Sequence, residues 1–321
     1  MNVFVAPNTR AAKRYHERAA LHAPVEAAIV PGIPPTRDRD LRYRGGKIIV
    51  DLTFSNFYLG GSEAWSATDV ENIDRSLAAA MSDEGLENVM VQYFPKRPTT
   101  TFKPSHVLPG PLSGSFSRGD VEKLVSDLQG MGAMAGFKAA SSVFNFMLPS
   151  GIVLTDDAMP RRLHFQKRRK LVAPGKGGVD SLHGLGGYHG SVHLGKVTLY
   201  YAIGVYSEVR NGRENGIPVF GESWKNVVAT FYHELNEART DPDVEDVIDG
   251  KSQRLLGWVS NQGDEVGDFP VAEANSLTDV FQEVPLASGA GKVPVQFEYS
   301  NAVHGPEGPR DTPYPFWKKR R

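Results

Sequence analysis

The stretch from Ser223 to Pro242, SWKNVVATFYHELNEARTDP, constrains the fold more than any other part of the chain. At about 100° per residue, Val227, Val228, Phe231, Leu235 and Ala238 fall on one side of a helix and predict a face packed on a core. Ser223 is placed to cap its start, and Pro242 forbids helical geometry at Asp241, so the helix is expected to stop near Arg239 or Thr240. Asn226, Thr230, His233 and Glu237 follow at i, i+4, i+7 and i+11 on roughly the opposite side, with Glu234 on the flank.

His233 and Glu237 are therefore neighbours one turn apart, a spacing at which two side chains can grip one ion. Imidazole and carboxylate are accepted zinc ligands, and zinc takes four in all. Glu234 beside them has the chemistry of a general base for water. This is the logic of H-E-x-x-H with Glu in place of the second His. A polar stripe opposite an apolar one is equally what a surface helix displays. The helix alone leaves both readings open.

The rest of the chain must supply a core large enough to cover that apolar face. Apolar residues make up 40% of its 321 positions, enough for one sizeable domain. Lys and Arg (36) nearly cancel Asp and Glu (37), so no global field argues for nucleic acid or a membrane surface. There is no cysteine, which excludes disulfides, thiolate catalysis and Cys-ligated zinc. The N-terminal residues have no apolar run behind their charges and do not read as a secretory signal; a cytoplasmic location is expected.

Residues 1–43 read as a mobile arm with one helix near 10–20, and ordered structure is expected from Gly45-Gly46. Strands are predicted over 47–57, 88–94, 142–148 and 196–206, and a short one over 293–299. Helices are predicted from Ser66 to about Met81 and over 118–130, where Ser117 caps and Val121, Leu124, Val125 and Leu128 form an apolar face. Residues 156–180 read as a basic insertion carrying the run Gln166–Lys170, and 305–321 as a tail ending in four basic residues. The single domain is thus placed at 44–304. Its order of elements gives an α/β or α+β class, a mixed sheet flanked by helices with a loop-rich C-terminal part.

Beyond the helix, YHELNEARTDPDVEDVI followed by LGWVSNQGDEVGD resembles the H-E-L-x-E-[AV]-x-[ST]-[DN]-P … G/A-W … E-[IV]-G-D pattern of phosphate-induced, EXORDIUM-like proteins and their bacterial and fungal relatives. Gly187-Tyr188-His189 with Tyr200-Tyr201-Ala202 is similar to that family's G-[FY]-H … Y-A segment, and looser matches span roughly 44–302. The chain departs from the plant members, which are secreted and carry cysteines in this region. The resemblance implies a zincin-like fold and marks His189, His233, Glu234, Glu237, Glu265 and Asp268. His189 and Asp268 would complete a zinc shell with His233 and Glu237, and Glu265 would be a ligand or a carboxylate orienting a histidine. Asp243, ten residues after His233, is a rival ligand, and Asp241 a further one.

The function expected is a metal-dependent hydrolase, a zinc metallopeptidase with Glu234 as base, acting on a peptide or protein. The alternative is a non-enzymatic protein with a structural ion, since the acid-rich DPDVEDVID and GDEVGD segments also suit Ca²⁺. His193 and His183 lie in a Gly-rich stretch that reads as a loop. Arg239 is explained by the helix dipole or as a clamp on a substrate carboxylate, and Tyr201 as a core tyrosine with a hydrogen-bonded tip or an oxyanion donor. No G-x-S-x-G elbow is present.

Overall fold

The structure, a computed structural model, describes residues 30, 32–156 and 179–314. The helix expected near 10–20, the run Gln166–Lys170, nearly all of the basic insertion and the tetrabasic end lie outside the described residues. Among those described, no helix is long and apolar enough to cross a membrane.

A mixed sheet organises the chain, in agreement with the expected class. Its strands are β1 (Asp51–Tyr58), β2 (Thr99–Phe102), β3 (His106–Val107), β4 (Ser142–Leu148), β5 (Gly187–Leu194) and β6 (Val197–Val205), in the spatial order β2-β1-β4-β6-β5, with β3 also on β1. The pairs are parallel except for β5, which runs antiparallel to β6 at the edge. The central strand β4 is buried along its whole length, which is why its sequence is apolar on both faces.

Strand periodicity divides the core in two. Val143, Met147, Tyr200 and Ala202 face one layer, with helix α1 (Ala67–Ser82) and the long helix. Phe144, Phe146, Leu148, Tyr201 and Ile203 face the other. There they meet Val121, Val125 and Leu128 of an amphipathic helix, Arg118–Gly130, whose Ser117 and Asp120 form the capping box.

One predicted strand is helical. Residues 88–93 belong to α2 (Glu84–Met90) and a 3-10 turn over Val91–Tyr93, which Phe94 ends in extended conformation. Asp83 caps α2 by accepting from the Leu86 N–H at 3.1 Å. A short apolar run carries no period that separates strand from helix, and the cap decides it. The reverse error falls on the Gly-rich stretch around His189 and His193, expected as a loop: it is strand β5, paired residue for residue with β6.

Helix α3 is Arg118–Gly130, and α4 is the long helix, Ser223–Thr240, as predicted apart from its cap: Ser223 is already helical and Glu222 is the N-cap. Helix α4 packs on β5, β6, α1 and strand β8 (Lys292–Gln296), which pairs antiparallel with β7 (Phe281–Pro285). It is therefore covered on both sides, and Asn226, Thr230, Glu234 and Glu237 are buried. The surface-helix alternative is excluded by this packing.

The expected arm and tail boundaries also shift. Val30, Ile33 and Leu41 join the core, and the Val30 and Thr36 N–H groups donate to the carbonyls of Pro306 and His304. Arg42–Tyr43 pairs with Trp258–Val259. At the other end, β9 (Glu298–Ser300) pairs with β10 (Gly305–Glu307), and Glu307 is buried against Arg310 and Tyr314. Each end fastens the other, a long-range pairing invisible to local pattern.

Candidate metal centre

Three pieces of chain converge beneath α4. Its own His233 and Glu237 lie one turn apart as predicted, with His233 Nε2 3.1 Å from Glu237 Oε2. Strand β5 brings His189: the register sets it opposite Ala202, on the face of the sheet that receives α4. The loop before α6 (Asp268–Glu273) brings Glu265, and the first residue of α6 is Asp268; the five-residue helix Val244–Ile248, α5, precedes it in the chain. The approach is close because Gly187 stands where a Cβ would lie 2.5 Å from the Ile203 carbonyl and 3.3 Å from Glu234 Oε1.

Both imidazoles are oriented by hydrogen bonds on their far sides. His189 Nε2 donates to the Asp241 carbonyl at 3.1 Å and lies 3.5 Å from Glu265 Oε1, while Nδ1 faces Glu234 Oε2 at 3.4 Å and Glu237 Oε2 at 3.8 Å. His233 Nδ1 donates to Gln296 Oε1 at 2.9 Å, and the Gln296 amide is itself fixed by donating to the Gly267 carbonyl at 2.6 Å. That leaves His233 Nε2 facing Glu237 and, at 3.9 Å, Glu234 Oε1. A backing acceptor that fixes the tautomer and aims the other nitrogen is the arrangement of a metal-ligating histidine.

Gly267 is the hinge of this contact. A Cβ there would fall 2.2 Å from His233 Nδ1, so the ring packs directly on the glycine backbone. Its N–H donates to Glu237 Oε1 at 3.0 Å, while Asp268 accepts the Glu265 N–H at 2.9 Å and so shapes the same turn.

The electrostatics are unusual for a protein interior. Glu234, Glu237, Glu265, Asp268 and Glu298 gather around two imidazoles, and among the described residues no Lys or Arg forms an ion pair with any of them. Burial pushes Glu265 well above the carboxylate range, and neighbouring Glu237 and Asp241 add to it. Burial, then Glu237, holds Asp268 up to about 7. Burial also raises Glu298, against the pull of His233. For the histidines burial acts downward, yet Glu234 and Glu237 outweigh it, holding His189 up to about 9 and His233 well above its ordinary value. So many carboxylates cannot all ionise here without cations to compensate them.

Orphaned atoms point the same way. Glu265 Oε1 and both carboxylate oxygens of Glu298 are buried without a hydrogen-bond partner. Two nitrogen donors and several carboxylate oxygens, some unpartnered, fit a divalent cation. The donors fall into two groups whose ligand atoms lie within 4.8 Å of one another: His189, Glu237 and Glu265, and His233, Glu237 and Asp268.

Every residue marked by the resemblance thus lies in the cluster. Asp241 and Asp243 fall outside both groups of ligand atoms, although Asp241 Oδ2 is buried beside them without a hydrogen-bond partner. Asp241 sits at the end of α4, where Oδ1 accepts from the Gly257 N–H at 2.8 Å and its carbonyl anchors His189; burial raises its carboxyl to about 7. Asp243 turns away and groups with His193 and Asp246. Pro242 and the start of α5 carry the chain out of line with α4, so counting ten residues from His233 misplaces the side chain. His193, half exposed, is held by Asp246 at 2.6 Å, and Asp246 by Lys251, which together form a closed ionic network.

Two further expectations are resolved. Arg239 clamps no substrate: it is 1% exposed, donates to the carbonyls of Val50 and Thr99, and lies over Phe94. Tyr201 is a core tyrosine on the opposite face of the sheet, its hydroxyl donating to Glu245 at 3.0 Å. Sequence reasoning missed the roles of Gln296 and Glu298. The one signal for Glu298 was an acid inside the apolar and aromatic run Val293–Tyr299, with no nearby positive partner in the sequence after Lys292.

Neither a scan against protein-family models nor searches of curated proteins and of solved structures return a match to this chain.

Proposed function

We propose that this chain is a metal-dependent hydrolase, a zinc metallopeptidase akin to the EXORDIUM-like proteins it resembles. The observation that carries the reading is the position of Glu234. Its two carboxylate oxygens face the free nitrogens of both backed imidazoles, at 3.4 and 3.9 Å, so it sits beside the place where a cation would be held without being needed to hold it.

His189, His233, Glu237 and Asp268 are the residues that would supply metal ligands. When bound, the metal supplies Lewis acidity, which lowers the pKa of water and polarises a carbonyl. The chain's own residues do the remainder. Glu234 takes the proton of the attacking water and returns it to the leaving amine. Gln296 and the Asp241 carbonyl keep the imidazoles in register during the reaction. His233 and Asp268 are the partly exposed members of the cluster, so a peptide would approach from their side.

The test is metal content together with hydrolysis of an unstructured protein, for the native chain and for Glu234→Gln. The variant should retain its metal and lose about 10²–10⁴-fold in kcat. A folded, metal-loaded variant with native activity would remove Glu234 from the mechanism.

A second reading, a structural ion in a non-enzymatic protein, is favoured by the burial of the other donors. Two surface hollows, one lined by Met134, Phe137 and Leu199 and the other by Arg210 and Asn215, contain none of them. Thermal melts with zinc, calcium and chelator separate the readings: strong stabilisation by calcium alone, with no hydrolysis, would select the second.

A further inference from the structure

We infer that the centre holds two divalent cations sharing Glu237, one between His189 and Glu265 and the other between His233 and Asp268. The inference rests on the metal-dependent reading above and specifies its stoichiometry.

The first ground is geometric. Imidazole nitrogens sit about 2.0–2.1 Å from zinc, so two on one ion are at most about 4.2 Å apart. Among the described residues no group of ligand atoms within 4.8 Å contains both His189 and His233; each forms its own group, and Glu237 is common to the two. The imidazoles cannot easily swing inward to share one ion. His189 is tied to the Asp241 carbonyl, and His233 to Gln296, whose amide is pinned by Gly267. Glu237 has the freedom to bridge: Oε2 faces both rings, and Oε1 holds only the Gly267 N–H.

The second ground is charge. Five carboxylates surround two histidines, and the buried Asp241 beside them is a sixth. With neutral histidines and all six ionised, one divalent ion leaves a net charge of about −4 in a buried site, and two leave about −2. The third is the set of unpartnered atoms. Glu265, a residue 8% exposed, has an Oε1 with no hydrogen-bond partner; it lies 3.5 Å from His189 Nε2 and belongs to the His189 group. Glu298, 2% exposed, has neither oxygen in a well-formed hydrogen bond; the Asn236 amide lies beside it, and its charged neighbours are His233, Glu237 and Glu234. Each group of donors therefore has an orphan carboxylate in it or beside it. Two-metal sites use such a pair to hold both the attacking and the departing oxygen of a displacement.

The experiment reconstitutes the full chain, stripped with chelator, with zinc and measures zinc per chain by elemental analysis. The Co²⁺-substituted protein then reports by electron paramagnetic resonance whether the ions are exchange-coupled through a shared carboxylate. Two zinc per chain with a coupled Co²⁺ signal is expected. Asp268→Asn and Glu265→Gln, one from each group, should each fall to one equivalent and lose the coupling, so one misfolded variant does not decide the matter. One equivalent in the native chain overturns the pair and leaves the hydrolase reading standing. Two uncoupled equivalents overturn it too, placing the second ion elsewhere, such as at His193, Asp243 and Asp246. No bound metal overturns both.

Discussion

Replacing Gly267 by alanine tests the centre without touching a donor. The new Cβ would fall 2.2 Å from His233 Nδ1 and 2.5 Å from Cε1, about 1.2 Å short of ordinary van der Waals contact. Something must move, and every candidate is bonded. If the ring retreats, Nδ1 leaves Gln296 Oε1 and Nε2 swings off Glu237. If the turn retreats, the Gly267 N–H leaves the Glu237 carboxylate. Either path loses a hydrogen bond to a charged or strongly polar group, about 1.5–3 kcal/mol, and adds overpacking strain of about 1–3 kcal/mol. The metal-free variant should therefore lose roughly 2.5–6 kcal/mol of folding stability. Its zinc affinity should drop by about 10–100-fold, the usual effect of disturbing a residue behind a ligand. Chemical denaturation in chelator gives the first quantity and competition with a chromophoric chelator the second. Gly130→Ala at the end of α3, where a Cβ meets nothing within 4 Å, is the control and should change neither by more than about 0.5–1 kcal/mol. Native stability and affinity in Gly267→Ala would refute the idea that His233 is held against this backbone.

Three more outcomes follow from the packing. Glu298→Gln should stabilise the metal-free protein at pH 8 by about 1–3 kcal/mol, because it removes a carboxylate whose charge burial disfavours, while weakening zinc binding; equal effects on both forms would contradict this. Burial pushes Glu245 up to about 8, against Arg118 and Tyr201, from an ordinary 4.5. The folded state then keeps a proton that the unfolded state has lost, so stability falls as pH rises from about 4.5 to 8, by up to about 1.4 kcal/mol per unit. Subtracting the curve of Glu245→Gln should isolate that slope, and a flat difference across the window would sink the assignment. Arg239→Ala should cost at least about 3 kcal/mol in urea unfolding, through the cavity and the freed carbonyls of Val50 and Thr99, and Arg239→Met less; near-native stability of the alanine variant would mean that water replaces the guanidinium.

The sequence by itself determined what depends on neighbours along the chain. The apolar stripe of Val227, Phe231 and Leu235, with Pro242 beyond, fixed α4, and its 3.6-residue period put His233 and Glu237 on one side. Ser117 with Asp120 fixed α3, and the β-branched and aromatic runs fixed β1, β4 and β6. Where the period was ambiguous, as at Val89–Tyr93, the reading failed. The tertiary structure alone decided that the polar side of α4 is interior, because the covering strands come from residues 187–205 and 292–296. It placed His189 by strand register against Ala202, and turned Asp243 away after Pro242. It set Glu298 and Gln296 behind His233 from more than sixty residues further on. Spacing shows which side chains share a turn. Which carboxylate faces them from another element depends on register, crossing and close backbone approach, long-range quantities that no local window of residues contains.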